Sequence, residues 1–80
     1  MSVRVRYFAA AKAALGRAGD EFDGVADLGA LEARLVESAP SAAEVLARCT
    51  YLVGGVSTTD RATPLTDGAA VDVLPPFAGG

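Results

Sequence analysis

Few side chains in this 80-residue sequence could carry out chemistry. There is no histidine, so neither a Ser-His-Asp nor a Cys-His constellation can be built. One cysteine and scattered aspartates give no zinc-ligand spacing. No GxGxxG or GxxxxGKS/T run is present to cradle phosphate. The adjacent carboxylates Asp20 and Glu21 fall in a short acidic stretch and read as a solvated strand edge. Cys49 comes after Arg48 but sits at the start of an expected strand, where cysteine serves as a small buried hydrophobe rather than a reactive thiolate.

What remains is the final stretch, LPPFAGG, residues 74–80. Glycine has no Cβ and passes through channels closed to other residues. A diglycine bearing the chain's carboxylate therefore suits insertion into another protein's active site. Residues 77–80 reach at most about 13–14 Å when extended, enough to bring the Gly80 carboxylate to a buried centre. Pro75 and Pro76 fix φ and favour extended geometry before them. The tail is expected to leave the sheet straight, with less ordering entropy to lose on insertion.

A body must hold that tail. At 80 residues the chain is expected to form one domain, residues 1–80, with 75–80 as the extended tail. Such a domain buries little more than about 60% of its unfolded surface. A composition of 51% hydrophobic and 21% charged residues is globular rather than disordered. Apolar runs are broken by Arg, Lys, Asp or Gly well short of the roughly 20 residues a bilayer span needs. The start, MSVRVRYFA, alternates like a strand rather than a secretory leader. The net charge of −3 argues against nucleic acid, which demands a basic patch. A single cysteine fits a reducing cytoplasm.

Val3, Val5 and Tyr7 alternate with Arg4, Arg6 and Phe8, the period of a half-buried first strand. AAAKAAL, residues 9–15, reads as a short helix closed by Gly16. DEFDG, residues 20–24, reads as a second, edge-like strand. Asp27 caps the best helix in the chain, with Leu28, Leu31, Leu35 and Val36 on one face and Pro40 as its stop. Ser41 and Glu44 have the spacing of a capping box, predicting a further short turn of helix anchored by Val45 and Leu46. CTYLVGG reads as the third strand, Ser57–Thr59 as a short fourth, and AAVDVL as the last. The order predicts an α+β fold, a mixed sheet of four to five strands packed on one main helix.

Strand alternation adds a surface. With Val3, Val5, Tyr7, Val71 and Val73 facing the helix, Arg6, Phe8 and Leu74 face outward. If the first and last strands are neighbours, Phe8, Leu74 and Phe77 form an apolar patch at the root of the tail, and such patches mark partner surfaces.

The terminal TPLTDGAAVDVLPPFAGG, the opening VRVRYFAAAKAALG and the Leu-rich helix between them resemble the small subunit of molybdopterin synthase, within the MoaD/ThiS-type group of ubiquitin-like sulfur carriers. The resemblance implies a β-grasp fold with a flexible diglycine tail. It also implies a non-catalytic carrier subunit of a sulfurtransferase, binding no cofactor or metal of its own. A ubiquitin-activating-type enzyme would use ATP to adenylylate the Gly80 carboxylate, with Gly79 keeping the tail slender. A sulfur donor would turn that carboxylate into a thiocarboxylate. The large synthase subunit would then take up the tail and receive sulfur for the dithiolene of the molybdenum cofactor. Arg6, Phe8, Leu74, Pro75, Pro76, Phe77 and Ala78 would meet the partner. Carriers for thiamine or cysteine synthesis, and a ubiquitin-like modifier or binding module, are the alternatives. Two positions depart from the family pattern. Gly54-Gly55 stands where Asn-Gly is common, and DGAAV (67–71) replaces DGDEV, removing two carboxylates near the expected partner surface.

Overall fold

The computed structural model describes residues 2–76. The first strand, β1 (Ser2–Tyr7), keeps to its alternation: Val3, Val5 and Tyr7 are buried while Arg4 and Arg6 are exposed. Phe8 is extended, and α1 (Ala9–Leu15) begins at Ala9 with φ 49°, a left-handed conformation for a residue that has a Cβ. Gly16 closes the helix at φ 73°, its amide donating to the Lys12 carbonyl, as the glycine predicted. The second strand, β2 (Gly19–Asp23), starts one residue earlier than its acidic run suggested. A Cβ at Gly19 would lie 2.7 Å from the Val5 carbonyl oxygen, so only glycine fits where β2 begins.

Asp27 caps α2 (Leu28–Ser38) as expected, accepting a hydrogen bond of 2.8 Å from the Ala30 amide. Leu28, Leu31 and Leu35 are fully buried, together worth on the order of 5–9 kcal/mol as an upper bound. The predicted further turn is present as a 3-10 turn (Pro40–Ala42) running into α3 (Ala43–Arg48). The capping box is not. Pro40 starts the turn, which draws Ser41 inside it, and the position before α3 falls to Ala42, already in right-handed helical geometry with no side-chain cap.

Cys49 is the extended cap of α3 rather than part of the next strand, β3 (Thr50–Val53). Gly54 and Gly55 turn it into β4 (Val56–Thr58), one residue earlier than predicted. The last strand is β5 (Ala70–Leu74). The sheet order is β2-β1-β5-β3-β4, with β1 and β5 parallel at its centre and the other pairs antiparallel. Helices cover one face, where α2 lies with Leu15 of α1, Leu46 of α3 and both tyrosines in one buried cluster. A five-stranded mixed sheet with its main helix on one side is the β-grasp arrangement.

Arg61 joins the loop from Thr59 to Pro64 to the rest of the fold. Arg61 binds Glu32 through two bonds of 3.1 Å, donates to the carbonyls of Leu46 (3.0 Å) and Thr59 (3.0 Å), and lies 4.7 Å over the Tyr51 ring. It thereby ties the loop, α2, the last turn of α3 and β3 together.

Candidate functional site

Because β1 and β5 run parallel, the chain leaves the sheet at the same end after each of them. Phe8 comes after β1, and the diproline after β5. The Phe8 amide still donates to the Val73 carbonyl at 3.2 Å, so the two exits are tied side by side. The left-handed Ala9 then bends the chain sharply into α1, leaving the Phe8 ring 37% exposed on the outer face. Leu74 lies beside it, half-buried and in register with Thr50 of β3. Phe8 is thus exposed and Leu74 half-buried at the same end of the sheet.

Arg6 also faces outward, but not as a bare cation. It is in register with Asp72 and grips that carboxylate with both arms of its guanidinium, Nε to Oδ1 at 2.9 Å and Nη2 to Oδ2 at 3.0 Å. The hydrogen bond and the charge of Asp72 raise the Arg6 pKa above its ordinary value, so the guanidinium stays charged. The Arg6 Cζ lies 5.5 Å over the Phe8 ring. The result is an aromatic and aliphatic patch whose central charges cancel. Asp72 is the member that sequence reasoning passed over. Its signal was present in Val71-Asp72-Val73, an outward acid between two inward valines, in register with Arg6.

In the diproline, Pro75 is half-buried and Pro76 exposed. With Pro76 it forms one wall of a cavity of about 250 Å³ whose other walls are Ala10 of α1 and Glu44, Val45 and Arg48 of α3. Phe77, Ala78, Gly79 and Gly80, the remaining predicted site residues, lie outside the described residues.

Neither Cys49 nor Tyr7 offers a reactive group. Cys49 is 1% exposed and its thiol donates to the Val45 carbonyl at 3.2 Å; burial pushes its pKa up, away from thiolate. Tyr7 is buried, and desolvation, then its 2.8 Å hydrogen bond to Asp20, holds its phenol protonated well above the usual range. That contact corrects the reading of Asp20 and Glu21 as a solvated pair. Glu21 is exposed, but Asp20 accepts from both the Tyr7 hydroxyl and Arg17, which anchors β2 to the core. Among the described residues no three His, Cys, Asp or Glu side chains gather as a metal site, and no helix is long and apolar enough to cross a membrane.

Known proteins share this arrangement. A chain in the complex of subunits 1 and 2 of the molybdopterin-converting factor from Helicobacter pylori is 28% identical, with a TM-score of 0.72 and full coverage of both chains. The HVO 2177 protein of Haloferax volcanii is 27% identical, with a TM-score of 0.80 over 100% of this chain and 87% of that one. The small archaeal modifier protein 1 of Methanosarcina acetivorans, at 21% identity, shares the fold, with a TM-score of 0.83 over 99% and 96% of the two chains. No curated protein matches the chain by sequence. The match to the ThiS family runs from residue 5 to residue 80, nearly the whole β-grasp body together with its tail, and the chain belongs to that family.

Proposed function

We propose that this protein is a sulfur carrier that works as the small subunit of a molybdopterin synthase, with the reacting atom on Gly80. A carboxylate is a poor acyl donor and carries no sulfur. Attack by the Gly80 carboxylate oxygen on the α-phosphorus of ATP, in an adenylylating partner, releases pyrophosphate and leaves an acyl adenylate. Attack by sulfide-level sulfur (HS⁻) on the acyl carbon then breaks the bond to AMP, which leaves, and the product is a thiocarboxylate. Tethering the sulfur to a protein raises its effective concentration at the acceptor. The catalytic side chains belong to the partners.

The observation that carries the reading is the tail root. In a ThiS-family chain ending in diglycine, the tail departs beside a charge-cancelled apolar patch of Phe8, Leu74 and the Arg6–Asp72 pair. That patch suits docking on a large subunit, and the Helicobacter pylori relative is held in a complex of subunits 1 and 2. The test is intact-mass spectrometry after incubation with ATP, an adenylylating enzyme of this family and a sulfur donor. One oxygen-to-sulfur exchange is expected in the full chain and none after deletion of Gly80.

The likeness to an archaeal modifier protein favours a second reading, in which the activated Gly80 forms an isopeptide bond with a lysine amine. Lys12 is the chain's single lysine and is exposed on α1. Lysine-linked conjugates in cells, with self-conjugates abolished by Lys12→Arg and no thiocarboxylate formed, would establish this reading in place of the first.

A further inference from the structure

Pro75 and Pro76 stand between two unlike surfaces. On the outer face of the sheet lie Phe8, Leu74 and the Arg6–Asp72 pair, whose charges cancel. On the helix side the two prolines wall the cavity of about 250 Å³ that α1 and α3 complete. Its apolar surface comes from the Ala10 methyl, the Val45 isopropyl group and the proline rings, with Val45 and Pro75 half-buried. A space of that size holds one large apolar side chain, since roughly 150 Å³ suffices for a benzene ring.

The charges beside the cavity differ from those of the outer patch. Arg6, Arg17 and Arg61 are each held by a carboxylate. Glu44 and Arg48 line the cavity one helical turn apart on α3, and both are exposed. Among the described residues neither is in an ion pair. The outer patch thus offers apolar area with little electrostatic direction, whereas the cavity presents an acid and a base in fixed order beside an apolar hollow. Charges of that kind set a partner's register and identity more than they add affinity. Apolar hollows at an interface receive the anchor side chains that carry most of its binding energy.

We propose that this cavity is a second contact for the large synthase subunit. It receives one leucine- or phenylalanine-sized side chain of that subunit, with a carboxylate of the subunit set against Arg48. The proposal rests on the reading of the chain as a molybdopterin synthase small subunit, and its ground is continuity. Gly80 is four residues past Pro76, at most about 13–14 Å of extended chain. A protein that closes around the Gly80 carboxylate therefore comes up against Pro76. The diproline follows Leu74 of the outer patch and also walls the cavity, so a subunit that grips the chain there spans both faces. The outer patch supplies buried area, and the cavity decides which subunit fits and in what orientation.

The experiment is calorimetric titration of the full chain with the large subunit from the same organism. Ala10→Leu fills the hollow from an exposed helical position, where leucine is nearly as good a helix former as alanine, so the melting curve should not move. Affinity is expected to fall at least tenfold. Arg48→Ala, also at an exposed position, should weaken binding about two- to fivefold at low salt and have no effect at high salt, the behaviour of one exposed ion pair. Equal affinities of Ala10→Leu and the native chain would overturn the seat and leave the carrier reading standing. An Arg48→Ala effect that is absent, or that persists at high salt, would overturn the carboxylate. A loss seen only in pyrophosphate release with an adenylylating enzyme, at unaltered affinity for the large subunit, would overturn the assignment of the occupant. A native chain that does not bind the large subunit at all would sink the synthase reading and the seat with it.

Discussion

Ala9 is the point where backbone geometry and the candidate docking patch meet, and it yields a sharp prediction. Its φ of 49° is left-handed, a conformation that costs a residue with a Cβ roughly 1–2 kcal/mol. Ala9 is exposed, so replacing its methyl by hydrogen loses no packing. Ala9→Gly removes the conformational cost but adds about 0.5–1 kcal/mol of unfolded-chain entropy. The net is a stability between unchanged and about 1 kcal/mol greater. Ala13, equally exposed in the middle of the same helix, supplies the control: Ala13→Gly has no left-handed cost to relieve and should lose about 1 kcal/mol. The two variants should therefore differ by about 1–2 kcal/mol, or roughly 5–15 °C in melting temperature for a domain of this size. Thermal and urea unfolding monitored by circular dichroism would measure both. If Ala9→Gly is as destabilising as Ala13→Gly, Ala9 is not left-handed, and the sharp bend that turns Phe8 outward has another cause.

Particular contacts set three further outcomes. Arg61→Ala should cost about 2–4 kcal/mol in urea unfolding, because one side chain with 28% exposure supplies a forked ion pair, bonds to three segments and a ring contact; Arg61→Lys, lacking the planar fork, should recover less than half. Tyr7 and Tyr51 are buried with phenol pKa values raised above the ordinary 10.0, so above that pH the unfolded chain releases protons that the folded chain keeps. Stability is therefore intact below about pH 10 and falls above it by about 1.4 kcal/mol per pH unit for each tyrosine, and tyrosinate absorbance should rise together with loss of ellipticity. Asp72→Ala leaves Arg6 as an unpaired cation in the patch. It should leave the melting curve unchanged, yet weaken calorimetric binding to a large synthase subunit about three- to tenfold at low salt, where an unaltered affinity would remove the Arg6–Asp72 pair from the docking surface.

Residues whose roles are decided by near neighbours were legible in the sequence. The alternation of Val3, Val5 and Tyr7 set the buried face of β1, and hence placed Arg6 and Phe8 outside. Asp27 announced the start of α2 because a cap is a contact across three residues. Local signals failed where a second local constraint overrode them or where the deciding partner lay far along the chain. Ser41 and Glu44 have the spacing of a capping box, but Pro40 nucleates a turn one residue before it and takes the serine inside. Asp20 read as a solvated acid because its partner Tyr7 is thirteen positions away; Asp72 drew no notice because Arg6 is sixty-six away.

The same distinction bears on how the molecule can work. Neither the Arg6–Asp72 pair nor the cavity beside Pro76 exists in any short segment: each forms only when β5 inserts next to β1 and α3 folds over α1. On the proposed carrier reading the sulfur acceptor is the Gly80 carboxylate, whereas Phe8, Leu74 and the Arg6–Asp72 pair come together only in the completed sheet. A peptide ending in LPPFAGG would therefore offer that carboxylate without the folded body. Such a peptide should be a far poorer substrate for an adenylylating enzyme than the full chain at equal concentration. Equal rates would mean that the body contributes nothing to presenting the tail to that enzyme.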